Sequence, residues 1–222
     1  MNEPGLIAII HSVSNGWPQF GAAMMGLERP AGTTIRWEIG YSATKNRNAA
    51  IANRKDAKWV LFLDSDHVFQ PDLLTRLLAH NKDIVTPLYL RRGPPFDTTI
   101  YEEIVVGHSA EGKQICRWKH RPQIKGEHGL IQVAASGCGA MLVRSYVFET
   151  LKAPWFEDGQ LRSDERMEDI YFCLKAQQAG FKIWCDLDTK LGHLMPAAIW
   201  PDDGEAALDF DSVTKSVEII GG

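Results

Sequence analysis

Long apolar runs are missing from this 222-residue chain, and none approaches the roughly 18–20 residues of a membrane-spanning helix. The opening MNEPGLIAIIHSVSNG has no basic stretch ahead of its apolar residues, so no secretory signal is expected. Cysteine is sparse. Cys116, Cys138, Cys173 and Cys185 form no C-x-x-C pair, which argues against a zinc ribbon or redox couple and for reduced thiols in a cytosol. His108, His120 and His128 around Cys116 fit no usual zinc spacing either. A basic surplus is also lacking: 24 Lys and Arg face 28 Asp and Glu, net −4, so there is no electrostatic footprint for duplex nucleic acid. Repeats and low-complexity tracts are absent. What remains is a cytoplasmic protein with chain enough for one substantial core and too little for two.

The most informative stretch is WVLFLDSDHVFQPDLLTRLL, residues 59–78. Trp59 to Leu63 shows no polar alternation, which predicts a strand covered on both faces, as in a parallel sheet flanked by helices. Pro71 opens a segment in which Leu73, Leu74, Leu77 and Leu78 recur at helical spacing. Asp64 and Asp66 are thereby placed at the carboxyl end of a central strand, where open α/β sheets bind ligands. Two acids one residue apart on a turn suit a divalent cation and the diphosphate it carries, although a solvated capping loop has the same pattern.

Around this centre the pattern predicts an α/β fold with a mostly parallel sheet. Leu6 to Ile10 reads as the first strand and HSVSNGWPQFG as the loop after it; Thr33 to Glu38 is a second strand, and a helix runs from Ser42 or Thr44. Asp83 to Leu90 is another strand, ending in the breaker RRGPP, which divides a half over residues 1–90 from a half over 91–195. Residues 96–135 suggest short strands between polar loops, Cys138 to Val143 a central strand, SYVFETL a short helix, and FKIWCD a late strand. Residues 196–222 read as a tail with a short helix.

Two further constellations carry chemistry. Glu168 and Asp169 follow Met167 at the start of a helix that ends at Gly180, where free N–H groups favour ionised carboxylates and one acid can serve as a general base. Asp164 and Glu165 compete for that role. His193, after a strand and a polar turn, offers an imidazole to a metal already held by acids, or is an ordinary core histidine.

Taken in order, KNRNAAIA, WVLFLDSD, SGCGAMLVR, MEDIYFCLKAQQAGFKI and the late GH resemble a glycosyltransferase of the GT-A fold, close to the family 2 type, over roughly residues 5–195. The resemblance implies a single Rossmann-like GT-A domain over residues 1–222. It implies that Asp64 faces the nucleotide ribose and that Asp66, with Asp64 and His193, holds Mn²⁺ or Mg²⁺ at the diphosphate. It implies that Arg47 and Asn48 help hold the nucleotide, that Ser136, Gly137 and Cys138 line the donor sugar, and that Asp169 is the catalytic base with Glu168 beside it. The implied partners are a nucleotide sugar, a UDP- or GDP-sugar, and an acceptor with a free hydroxyl.

The chain departs from the family where the base is read. WEIGYSATKN replaces an aspartate-rich turn and holds Glu38 as its only acid, so His11, Ser12 and the Trp17 ring in the first loop become the candidate base contacts. Two rival readings stand. A sugar-phosphate nucleotidyltransferase would want a basic Gly-rich loop after the first strand, and HSVSNGWPQFG has no Lys or Arg. A non-catalytic sugar- or nucleotide-binding module would have no use for both metal and base candidates.

Overall fold

The computed structural model describes residues 3–12, 16–93, 95–108, 114–158, 168–195, 198–202 and 205–209. In chain order the first half holds β1 (Gly5–His11), α1 (Pro18–Gly26), β2 (Thr33–Ile39), α2 (Ala43–Ala52), β3 (Trp59–Asp64), β4 (His67–Val68), α3 (Leu73–Ala79) and β5 (Ile84–Leu88). Next come β6 (Ile100–His108), β7 (Gln114–His120), β8 (Leu130–Val133), β9 (Ala135–Ser136), β10 (Ala140–Arg144) and α4 (Ser145–Thr150). The chain then forms α5 (Glu168–Gln178), β11 (Ile183–Lys190), β12 (Gly192–Leu194), β13 (Ala198–Asp202) and β14 (Glu205–Asp209).

The apolar runs pair into a seven-stranded sheet of order β2-β1-β3-β10-β5-β11-β8. β2, β1 and β3 are parallel, as are β5 and β11, while β10 lies antiparallel between β3 and β5 and β8 closes the edge antiparallel to β11. The single α/β domain is therefore mostly, not wholly, parallel. β3 shows why the run lacks alternation. Val60 and Phe62 point into one core with α2, α4 and α5, whereas Trp59, Leu61 and Leu63 point into a second core with α1 and α3. A strand buried on both faces needs apolar residues at every position.

Two readings of the sequence need correction, and a third is tested only in part. The loop predicted after β1 contains α1, whose Pro18 sits in the first turn and whose Phe20 and Met24 are buried one turn apart; its glycines hid it. Pro71 lies ahead of the cap Asp72 rather than within α3. Of the predicted tail, Ala198–Asp202 and Glu205–Asp209 pair as strands and extend a four-stranded sheet of order β14-β13-β12-β4, while residues 210–222 lie outside the described residues. Elsewhere the agreement is close: Ser42 caps α2 by accepting the Lys45 N–H at 3.2 Å, and Gly180 takes a left-handed φ of 91° beyond α5.

Candidate active site

β3 ends at Asp64, whose N–H donates to Gly139 O at 2.7 Å, and the chain turns through Ser65 and Asp66 into β4. β4 pairs antiparallel with β12 so that His67 lies opposite His193. Opposed residues of such a ladder point to one face, and the two imidazoles stack with centroids 4.4 Å apart. His193 Nδ1 donates to Leu90 O at 2.8 Å, which leaves the Nε2 lone pair free, 3.6 Å from Asp66 Oδ2. Asp66, His67 and His193 thus bring three ligand atoms within 4.8 Å of one another.

The electrostatics of this trio suit a cation. Burial alone would raise the Asp66 carboxyl, but contacts with His193 and His67 outweigh it and hold the group far below the usual carboxylate range. Burial, and then the neighbouring His67, push His193 down, favouring the neutral imidazole that a metal requires. Both ring nitrogens of His67 and Asp66 Oδ1 are buried without a hydrogen-bond partner, although 3.2 Å separates His67 Nδ1 from that oxygen. Orphaned buried nitrogens are expensive. A divalent ion bound by Asp66, His67 and His193 would take one ligand atom from each, one imidazole nitrogen of His67 among them, so the donor set fits Mn²⁺ or a similar ion.

Asp64 stands apart from this trio. Both of its oxygens accept from Arg47 Nη2, at 3.0 and 3.1 Å, and Arg47 also pairs with Glu168 and donates to Cys138 O at 3.3 Å. Burial raises Asp64 despite the arginine. Burial likewise works against the charge of Arg47, but Asp64, Cys138 and Glu168 more than compensate, and its guanidinium is only 3% exposed. Arg47 therefore ties two acids together.

At the start of α5, Asp169 Oδ1 accepts the Ile170 N–H at 2.8 Å. Desolvation, reinforced by Glu168, pushes the Asp169 carboxyl up to about 6. Across from it the backbone comes in close: a Cβ on Gly137 would stand 2.6 Å from the Tyr89 hydroxyl and 3.5 Å from Asp169 Oδ2, and one on Gly139 would stand 2.6 Å from His67 Cε1. Only glycine admits these approaches. The Tyr89 hydroxyl accepts the Gly139 N–H at 2.8 Å; burial, then Asp64 and Asp169, hold it well above its ordinary pKa, so it stays protonated.

Two cavities adjoin these groups. One of about 670 Å³ is lined by Asp64, His67, Gly137, Glu168, Asp169 and His193 among others. A smaller one of about 250 Å³ is lined by His11, Ser12, Trp17, Tyr41, Asn46 and Asp66 among others. A third, of about 510 Å³ beside Arg121, Glu127 and Asp188, contains none of the acids or histidines above.

Most of the predicted residues converge here, and some do not. Asp64, Arg47, Gly137, Cys138, Glu168, Asp169 and His193 line the larger cavity, and His11, Ser12 and Asp66 the smaller. Asn48 lines neither: its amide donates to Thr44 O and Phe156 O and accepts from the N–H groups of Trp155 and Phe156, clamping a loop. Ser136 is fully buried, its hydroxyl donating to Gly137 O at 3.1 Å. Glu38 is buried and paired with Arg36, away from both cavities. Asp164 and Glu165 lie outside the described residues. The sequence reading missed His67, although it directly follows the second acid, and Arg92, in the breaker RRGPP, which contacts Asp66.

The family model for "Glycosyl transferase family 2" matches residues 29–148. As a sequence the chain has no significant match among curated proteins. Among solved structures it is similar to "A197 from STIV", at 18% identity and a TM-score of 0.60, over 92% of this chain and 94% of that one. It is also similar to "GalNAc-T7 with UDP, GalNAc and Mn2+", at 11% identity and a TM-score of 0.55, over 86% of this chain and 43% of that one. These likenesses establish the GT-A type of fold.

Proposed function

The chain belongs to glycosyl transferase family 2, and from that premise we propose that it moves a sugar from a nucleotide-sugar donor to an acceptor hydroxyl in a metal-dependent, inverting reaction. One observation carries the reading: a single cavity is lined by His67 and His193, which flank the anionic Asp66, and by Asp169, the acid tuned to about 6. A cation site and a base facing one space suit transfer between a diphosphate ester and a hydroxyl.

In this reading the nucleoside occupies the smaller cavity, against His11, Ser12 and the Trp17 and Tyr41 rings, as a UDP- or GDP-sugar. The sugar lies in the larger cavity over the glycine-lined backbone at Gly137 and Cys138. Asp66, His67 and His193 would hold the ion, which would supply positive charge for a departing diphosphate. Two imidazoles beside one carboxylate favour Mn²⁺ over Mg²⁺, which prefers oxygen ligands. Asp169 accepts the proton of the acceptor hydroxyl as its oxygen bonds to the anomeric carbon and the carbon–phosphate oxygen bond breaks from the opposite face. Arg47 holds Asp64 and Glu168 in place for this step.

Residues 1–90 then form the nucleotide half, 91–195 the acceptor and catalytic half, and 196–222 a tail. Among the described residues no helix is long and apolar enough to cross a membrane, and the free buried thiols of Cys138, Cys173 and Cys185 suit a reducing cytoplasm. The test is a panel of nucleotide sugars with and without Mn²⁺, following release of the nucleoside diphosphate. Metal-dependent release from at least one donor is expected, and a chain that binds nucleoside diphosphates but never splits a donor would be a binding module instead.

A further inference from the structure

Arg92 follows β5 in a loop pinned at both ends: Arg91 N–H donates to Asp97 O at 2.9 Å, and Leu90 bridges Thr98. Its Nη1 lies 3.1 Å from Asp66 Oδ2, on the carboxylate at the centre of the cation site, and its side chain is 50% exposed. The neighbouring Arg91 turns away, toward His120 Nε2 at 3.4 Å.

The two cavities share three lining residues, Ala43, Asp64 and Arg92. A donor with its nucleoside in one cavity and its sugar in the other must carry its diphosphate across that shared boundary. Of the three residues there, Arg92 alone is cationic. Arg47, also nearby, is spent on Asp64 and Glu168. Resting on the transferase reading, we propose that Arg92 is an exchangeable counter-charge: it pairs with Asp66 in the empty site and with the donor diphosphate once metal and donor are bound.

The exchange follows from charge balance. A divalent ion arriving alone must displace the guanidinium from Asp66 and leaves it beside a new positive charge. An ion arriving with a diphosphate supplies the anion that the freed guanidinium needs, and Arg has the planar donor fork that matches phosphate oxygens. Arg92 thus disfavours metal alone and favours metal with donor, so that the two bind together. It is a binding residue for the leaving group rather than part of the cation site.

The test uses the full chain and calorimetric titration with Mn²⁺ alone, then with UDP and GDP in the presence of Mn²⁺. Arg92→Ala is expected to bind Mn²⁺ alone about threefold tighter, the size of a half-exposed ion pair. The same variant is expected to bind the nucleoside diphosphate with Mn²⁺ about tenfold or more weakly, through loss of a charge-assisted hydrogen bond. Arg92→Lys should fall between parent and alanine, and Arg91→Ala should leave Mn²⁺ binding alone unchanged. Opposite signs for the two ligands support the exchange. Equal weakening of both, no change in either, or the same pattern in Arg91→Ala overturns it. A parent chain that binds neither Mn²⁺ nor either diphosphate rejects the transferase reading and the Arg92 role together, whereas a binding parent with an unaltered Arg92→Ala variant rejects the Arg92 role alone.

Discussion

His67 and His193 face each other across the β4–β12 ladder, their rings stacked at 4.4 Å with 16° between the planes, and Asp66 lies beside both. Stacking two imidazoles while leaving both nitrogens of one without a partner is a poor use of a core position. As a ligand set for a cation, the same arrangement gives one nitrogen of each ring and one Asp66 oxygen a use.

His67→Ala and His193→Ala are each expected to lower Mn²⁺ affinity by about 100-fold or more and to narrow the preference for Mn²⁺ over Mg²⁺, because a nitrogen ligand is lost. Titration calorimetry with both ions reads this directly. Loss of thermal stability with unaltered Mn²⁺ binding would make either residue a core histidine only.

Asp66→Ala should abolish stabilisation by a nucleoside diphosphate with Mn²⁺ while the fold persists, since β3 ends before it. Thermal unfolding with and without ligand checks this, because a ligand that binds only the folded state raises apparent stability by mass action. An undiminished shift would remove Asp66 from the cation site.

Asp169→Asn should lower transfer by about 10²-fold or more, the contribution of a positioned base, with donor binding nearly unchanged. A base with a pKa of about 6 must be ionised to act, so the parent rate should rise with pH through about 6 and then level, and that limb should vanish in the variant. The stability linkage has the opposite sense. With its folded pKa raised above the ordinary 3.8, the group favours the folded state most below about pH 4, and that contribution is lost as pH rises through about 6. Asn at this position should flatten that part of the stability curve.

Arg47→Ala should destabilise the fold by about 3–5 kcal/mol, because Asp64 and Glu168 are left facing each other without a counter-charge. Denaturant unfolding measures it. Adding Glu168→Gln to an Arg47→Met background should recover part of the loss, and no recovery would mean that the two side chains are not energetically coupled.

Asn48→Ala should cost about 1–3 kcal/mol of stability through the orphaned N–H groups of Trp155 and Phe156, yet leave affinity for UDP or GDP with Mn²⁺ within about twofold. A large loss of nucleotide affinity in a stable variant would return Asn48 to the donor site.

The sequence by itself determined the features that depend on near neighbours. The unalternating run Trp59–Leu63 specifies a strand buried on both faces whatever lies beside it, so Asp64 and Asp66 had to emerge at its carboxyl end. The acids at the start of α5 follow from the same local logic, because a helix's first turn favours carboxylates wherever the helix packs. Only the tertiary structure decided who partners whom. β10 inserts antiparallel between β3 and β5 from a segment some 80 residues downstream of β3, a pairing to which no periodicity points. His67 and His193 become one site through a register 126 residues apart in sequence, Asn48 is claimed by a loop more than 100 residues away, and Arg47 is taken by Glu168. Secondary structure is set by spacing along the chain. The choice of partners for buried polar and charged groups is set by which groups lose water together, and that is known only once the sheet has closed.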